Sequence, residues 1–418
     1  MHIHEVMAGT GTVRAWQEDL YRDLHQHPEL SHQEHRTAGL VAERLTQAGF
    51  EVTTGVGGTG VVGILRNGGG PTVLLRADMD ALPVKEDTGL PYASTAVSIP
   101  VGEDAEGPVM HACGHDMHTT CLLGAAQLLA DGQKHWSGTL ITVFQPAEET
   151  ANGAQGMAED GLATITGPVD VALGQHVVPL PAGQLATLAG PAMAAADCIK
   201  ITLYGRGGHG SMPQTTVDPV VLAAAVVLRL QTVVSREIDP SESAVLSVGS
   251  LRAGTKANII PATAELQINT RSYSEEVRAA LLDAIRRIVI AECAASNCPR
   301  EPEFEYFDSA PLTANDGEVT ARVTAAFTAQ FGSEAVITAP RLMGSEDFSD
   351  IARAVGAPYC FWLFGGTDPD TFRAAADKGT IASDIPSNHS PHYAPVIQPT
   401  LDTGTGALVA AAMAWLGR

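Results

Sequence analysis

The chain has 418 residues, more than one ordinary hydrophobic core serves, so two or three domains are expected. With 45% hydrophobic and 17% charged residues it holds enough apolar material for packed cores, which excludes wholesale disorder. Asp and Glu total 47 against 25 Lys and Arg, a formal charge of −22, and that balance excludes the basic footprint needed for nucleic acid or an anionic membrane. Most of this acidic excess reads as a solubility device. The first thirty residues show no basic segment followed by an apolar run, so no secretory signal is expected. The longest apolar runs, Val220–Leu228 and Leu408–Leu416, are about half the ~20 residues of a membrane span. Six cysteines without a CxxC pair point to reduced thiols and a soluble, cytoplasmic protein.

In chain order, Val13–Gly49 reads as helix from the spacing of Trp16, Leu20, Leu24, Leu40, Val41 and Leu45, with Gly49 as its stop. Thr59–Leu65 and Thr72–Arg76 read as strands around the turn-like NGGGP, Thr119–Leu129 as helix and Thr139–Phe144 as a buried strand. This alternation predicts an α/β sheet with helices on its faces. The middle differs: strand Asp197–Tyr204, helix Pro219–Glu237 capped by Asp218, strands Ala244–Leu251 and Thr263–Thr270, helix Ser274–Ala295 and strand Glu303–Phe307. That β-α-β-β-α-β order matches the ferredoxin-like split unit. Residues 197–309 are therefore read as an inserted α+β ferredoxin-like domain, and 1–196 with 310–418 as one discontinuous α/β domain.

The segment GVGGTG at 55–60 fits a dinucleotide fingerprint, but strand-like residues follow it, not a helix that holds a pyrophosphate, so it reads as a hairpin. No serine-hydrolase elbow and no P-loop is present. The dense spot is HACGHDMH at 111–118, three His, one Cys and one Asp in eight residues of a chain with 14 His. Imidazole, thiolate and carboxylate are the ligands of first-row metals, and Cys113 and His115 are spaced to reach one centre from a glycine-containing loop. In FQPAEE, Glu148 and Glu149 follow a strand end, where one carboxylate can ligate metal while the other serves as a base. His176 and His389 stand at strand or turn boundaries as candidate completions of a two-metal site. Asp78 and Asp80 end another strand, as ligands, as groups orienting a ligand imidazole, or simply as turn-makers. The loop GRGGHGSMP exposes His209; Asn258 and Arg271 are polar strand-end groups that suit a substrate carboxylate or a plain structural cap.

The ordered set RADMDALP, HACGHDMHTT, FQPAEE, GQHV, GRGGHGSMP, NIIP, GSEDF and NHSPHY resembles the metal-dependent amidohydrolases that include hippurate hydrolase, indole-acetyl-amino-acid hydrolase and bacterial N-acyl-amino-acid aminoacylases. The likeness runs from His25 to the end of the sequence, and stretches such as QTVVSREIDP look most like acyl-glutamine aminoacylases. It implies a catalytic α/β domain with a dinuclear metal site and an inserted lid or dimerisation domain. It further implies two divalent ions (Zn, Mn, Co or Ni) on Cys113, His115, Glu149, His176 and His389, with Glu148 as general base. His209 would stabilise the oxyanion, Asn258 and Arg271 would hold the substrate carboxylate, and Asp80 would orient a metal ligand. The implied reaction is hydrolysis of a small N-acyl-amino acid by a cytoplasmic homodimer or dimer-based oligomer; a dipeptidase or carboxypeptidase of the same fold is the alternative. The first motif reads Asp78-Met79-Asp80 where many relatives have His-x-Asp. This leaves open which group bridges the metals and whether Asp78 or Asp116 ligates.

Overall fold

The apolar runs Thr72–Asp78, Gly138–Gln145 and Val171–Pro181 are buried for most of their length on both faces, as the central strands of a covered sheet must be. The computed structural model describes residues 2–102 and 104–418; Met1 and Glu103 lie outside the described residues. The chain divides into two compact units, one of Met1–Gly190, Ala314–Pro340 and Asp347–Arg418, the other of Pro191–Thr313 and Arg341–Glu346.

The larger unit is mixed α/β, built on an eight-stranded sheet. Its order is Glu51–Val56, Gly60–Asn67, Gly138–Gln145, Thr72–Asp78, Val171–Pro181, Tyr359–Thr367, Leu185–Thr187 and Val336–Thr338. The first two strands form an antiparallel hairpin across the glycine-rich turn. Thr72–Asp78 runs parallel to both its neighbours, and Val171–Pro181 runs parallel to Tyr359–Thr367. The functional segments thus follow the carboxyl ends of adjacent parallel strands, where open α/β sheets present their sites. Helices Thr10–Gln26, His35–Gln47, His115–Asp131 and Ile397–Leu416 share one core with the sheet, through Leu24, Leu45, Leu122 and Leu408 against Val73, Leu140 and Leu173.

One helix expected over Val13–Gly49 is two, Thr10–Gln26 and His35–Gln47. Pro28 lacks the N–H that a continuing helix needs, and His32 adopts φ 64°. The second helix restarts because the Glu29 carboxylate accepts from the Arg36 and Thr37 N–H groups at 2.8 Å each. The strand expected at Thr72–Arg76 runs on to Asp78, and the helix expected from Thr119 begins at His115. The HDMH segment therefore forms the first helical turn, with His111, Ala112, Cys113 and Gly114 left in the preceding loop.

The smaller unit has an antiparallel sheet ordered Ala244–Ala253, Thr263–Ser272, Ala195–Tyr204 and Glu303–Ala310. Helices Pro219–Arg236 and Glu275–Ala295 are capped by Asp218 and Ser274, whose side chains accept from Val220 and Val277 N–H. Leu222, Val226, Leu230, Leu281 and Ile285 pack on Ile199, Leu266 and Ile268. Pro219–Arg236 is long and apolar enough to cross a membrane by length and composition, and its inner stripe fills this core.

Candidate metal centre and active site

Cys113 precedes Gly114, whose φ of 85° and whose lack of a Cβ are both required, since a Cβ would lie 2.4 Å from Val177 Cγ1. The chain thereby turns sharply and places Cys113 and His115 side by side at the start of a buried helix. Cys113 Sγ lies 3.4 Å from His176 Nε2, and His176 Nδ1 bonds the Val177 carbonyl at 2.8 Å, which turns Nε2 towards the sulfur. His115 Nδ1 bonds Asp80 Oδ1 at 3.1 Å. His115 Nε2 then faces Glu149 Oε1 at 3.8 Å and Glu148 Oε2 at 4.0 Å. His389, at φ 70°, brings Nε2 to 3.4 Å from Glu149 Oε2, and its N–H bonds the Ala112 carbonyl at 2.8 Å.

Among the described residues three overlapping groups join the candidate ligands, Cys113 with His115 and His176, Cys113 with Glu149 and His389, and His115 with Glu148 and Glu149, and a fourth sharing His115 adds Asp78 and His118, each with its donor atoms within 4.8 Å of one another. His115 Nε2 and Glu149 Oε1 are buried and have no hydrogen-bond partner among the described residues. Orphaned polar atoms at this depth are costly unless something binds them. A soft sulfur, imidazole nitrogens and carboxylates converging there fit divalent first-row metal ions.

The surrounding charges agree. Burial alone would pull the His115 pKa down, but Asp78, Asp80 and Glu149 outweigh it and push it up to about 10. The pocket thus calls for positive charge. Burial, reinforced by Glu149 and Glu148, drives the Cys113 thiol well above its ordinary range. Burial and the neighbouring His118 drive His176 well below its own, so it is a neutral donor.

The two aspartates left open by the sequence are engaged within the protein. Asp116 Oδ2 bonds His25 Nδ1 at 2.7 Å and its Oδ1 accepts from Met117 N–H. Asp78 accepts from Arg76 at 2.7 Å and from His118 Nδ1 at 2.5 Å. His118 Nε2 in turn accepts from Val177 N–H at 2.8 Å, so both of its nitrogens are committed. Asp80 receives the Glu149 N–H at 2.9 Å and the Ser31 hydroxyl at 2.7 Å besides bonding His115. It orients an imidazole and also braces the Glu149 backbone.

The larger unit therefore gathers Asp80, Cys113, His115, Glu148, Glu149, His176 and His389. His209, Asn258 and Arg271 belong to the smaller unit. There, His209 is exposed and its Nδ1 accepts the Ser211 N–H at 3.1 Å, so in the neutral ring Nε2 carries the proton and points away as a donor. Asn258 is brought beside it, its carbonyl accepting the Gly210 N–H at 2.9 Å. Arg271 donates to Asn269 Oδ1, the Met343 carbonyl and Ser345 Oγ, all between 3.0 and 3.2 Å.

Sequence reasoning missed Glu34 and Asp347. Asp347 accepts from Gln145 Nε2 at 2.6 Å and from Ala154 N–H at 3.1 Å, which ties together the two ends of the Glu148–Glu149 loop. Pro28 inside an otherwise helical pattern was the available signal that the Glu34 region departs from helix.

The model of peptidase family M20/M25/M40 matches residues 74–385. A thermostable carboxypeptidase of Saccharolobus solfataricus is 40% identical over 84% of this chain and 86% of its own length. Hippurate hydrolase of Campylobacter jejuni is 38% identical over 82% and 87%. A solved Bacillus subtilis structure, described as a dinuclear metal-binding peptidase from the M20 family, superposes with a TM-score of 0.75 at 29% identity, covering 96% of this chain and 99% of that one.

Proposed function

The chain belongs to peptidase family M20/M25/M40, and from that premise we propose that it hydrolyses the amide bond of N-acyl-amino acids, releasing a carboxylic acid and a free amino acid. The observation that carries the reading is the converging donor set in which His115 Nε2 and Glu149 Oε1 are buried and make no hydrogen bond among the described residues. Cys113, His115, Glu149, His176 and His389 would hold two divalent ions, with Zn, Mn, Co and Ni all matching the mixed donors. Such ions supply Lewis acidity and lower the pKa of water towards neutrality when bound. The likeness to the dinuclear relative supports the count of two.

Glu148 sits on the same strained turn as Glu149 and keeps 11% of its side chain accessible. In this reading it takes the proton of the attacking water and returns it to the leaving nitrogen. Asp80 and the Val177 carbonyl hold the Nδ1 atoms of His115 and His176, so that each ring presents Nε2. His209 is assigned to the developing oxyanion, which its exposed Nε2–H suits. Asn258 and Arg271 are assigned to the substrate carboxylate. The smaller unit would act as a lid and dimerisation domain; the exposed Val220, Val221 and Leu228 of its first helix support a homodimer. Six free cysteines are in keeping with a cytoplasmic location.

The test is metal analysis together with a hydrolysis panel crossing acetyl, benzoyl, indole-acetyl and long-chain acyl groups with Gln, Glu, Gly and diaminopimelate. Glu148→Gln should keep its metal and lose about 10²–10⁴-fold in kcat. Full turnover by that variant, or by metal-free protein, would refute the proposal. The carboxypeptidase relative favours a second reading, cleavage of free dipeptides, which a dipeptide arm of the same panel separates.

A further inference from the structure

The loop that carries Glu148 is strained at both ends. Ala147 and Ala151 both have φ 50°, a region that an L-residue with a Cβ occupies only under strain. Such a conformation persists only where its surroundings hold it. The Ala147 end is held by Glu34, which is fully buried and arrives from the turn between the first two long helices. One carboxylate oxygen, Oε1, accepts the Ala147 N–H at 2.9 Å and the N–H of His32, itself at φ 64°, at 3.0 Å. The other oxygen, Oε2, is bonded by the Thr59 hydroxyl at 2.5 Å.

On the far side of Glu148, the Glu149 N–H is fixed by Asp80, and Asp80 is bonded by Ser31 from the same turn that bears Glu34. His32 adds a third tie, its Nε2 lying 2.9 Å from Asn152 Oδ1. Glu148 thus projects from a backbone gripped at the preceding and the following residue by two buried carboxylates. Glu34 bonds the backbone N–H groups of His32 and Ala147 and the Thr59 hydroxyl, and takes no place in the donor groups.

We propose that Glu34 is a positioning residue for the reaction: by holding the Ala147 N–H it locks the left-handed turn that aims the Glu148 carboxylate. This rests on the reading of Glu148 as general base. Base catalysis is sensitive to placement, and a displacement of about 1 Å costs up to ~10²-fold in rate. Substrate binding and metal affinity depend on other atoms, so the effect belongs in kcat.

The experiment measures kcat, KM and metal content for wild type, Glu34→Ala, Glu34→Gln, Glu34→Asp and Glu148→Gln, all metal-loaded. Glu34→Ala should lose about 10–10²-fold in kcat, with KM and metal stoichiometry near wild type. Glu34→Gln should recover most of that loss, because its amide oxygen still accepts both N–H groups and the Thr59 hydroxyl turns to accept from its NH₂. Glu34→Asp keeps the charge but withdraws it from Ala147, so its kcat should fall as well. It serves as the readout if the alanine variant does not fold. Wild-type kcat in Glu34→Ala or Glu34→Asp overturns the proposal. So does equal impairment of Glu34→Gln and Glu34→Ala, and so does a loss confined to KM or to metal content. Should Glu148→Gln turn over like wild type, the general-base reading falls and this proposal with it. If only Glu148→Gln is impaired, the base stands and the role of Glu34 is refuted.

Discussion

Replacing Arg76 by Met would test how the interior of the sheet supports the site. Arg76 is fully buried on a central strand, yet it donates to Asp78 at 2.7 Å, to Gln145 at 2.8 Å and to Asp347 at 3.3 Å. Met matches its stem but leaves two buried carboxylates without that cation. Removing one member of a buried charge cluster costs about 3–5 kcal/mol, mostly because the remaining charge is stranded. At roughly 2–4 °C per kcal/mol for a unit of this size, the melting temperature should drop on the order of 10 °C. Adding Asp78→Asn to Arg76→Met removes one of the stranded charges, so the double variant should be less destabilised than the sum of the singles, by about 0.5–3 kcal/mol. Urea unfolding followed by near-UV circular dichroism, with and without a chelator, measures both quantities. A loss below about 1 kcal/mol for Arg76→Met, or strict additivity in the double variant, would refute the charge-cluster argument.

Burial opposes a charge on His25, but its bonds to Asp116 and Glu86 prevail and raise its pKa from 6.5 to about 9. Because the folded value lies above the unfolded one, this contribution of about 3 kcal/mol is fully present below pH 6.5 and lost as pH rises through about 9. His25→Gln should remove that part of the slope of stability against pH, and an unchanged slope between pH 6.5 and 9 would contradict the assignment. Gly114→Ala should cost at least ~1 kcal/mol in backbone strain alone and lower the metal-to-protein ratio after dialysis, because the clash with Val177 displaces Cys113 and His115; a wild-type ratio would argue against it. With a formal charge of −22, the protein repels anionic acyl-amino acids at long range, so raising salt should lower their apparent KM, and a salt-induced rise would count against this.

The α/β character, the strand–helix alternation and the antiparallel middle segment were legible because burial imposes periodicity on apolar residues, as at Thr139–Phe144 and Pro219–Glu237. The candidate donors Cys113, His115, Glu149, His176 and His389, which the fold brings close together, were legible because their chemistry stands out beside strand ends. Their pairings were not. Nothing local separates His115, whose Nε2 makes no hydrogen bond among the described residues, from His118, whose nitrogens are taken by Asp78 and Val177. Asp116 looks like a donor in the motif, but a helical turn directs it to His25. Glu34, Asp347 and Arg76 act through bonds to backbone or buried side chains up to 271 residues away, and no spacing rule records these. The break at Pro28 was hidden by apolar residues that keep helical spacing on both sides of it.

The donor cluster has a consequence for the order of events during synthesis. It opens at Cys113 and closes at His389, and the whole of Pro191–Thr313 is translated between His176 and His389. A nascent chain that has emerged only as far as the smaller unit holds two imidazoles, a thiol and two carboxylates but lacks the last histidine. On the proposed ligand assignment, the complete set would exist only once the chain has returned to the first sheet. Metal loading would then report that the interrupted unit has been rejoined, and chains stalled or misfolded in the insertion would be left with a weaker, incomplete set.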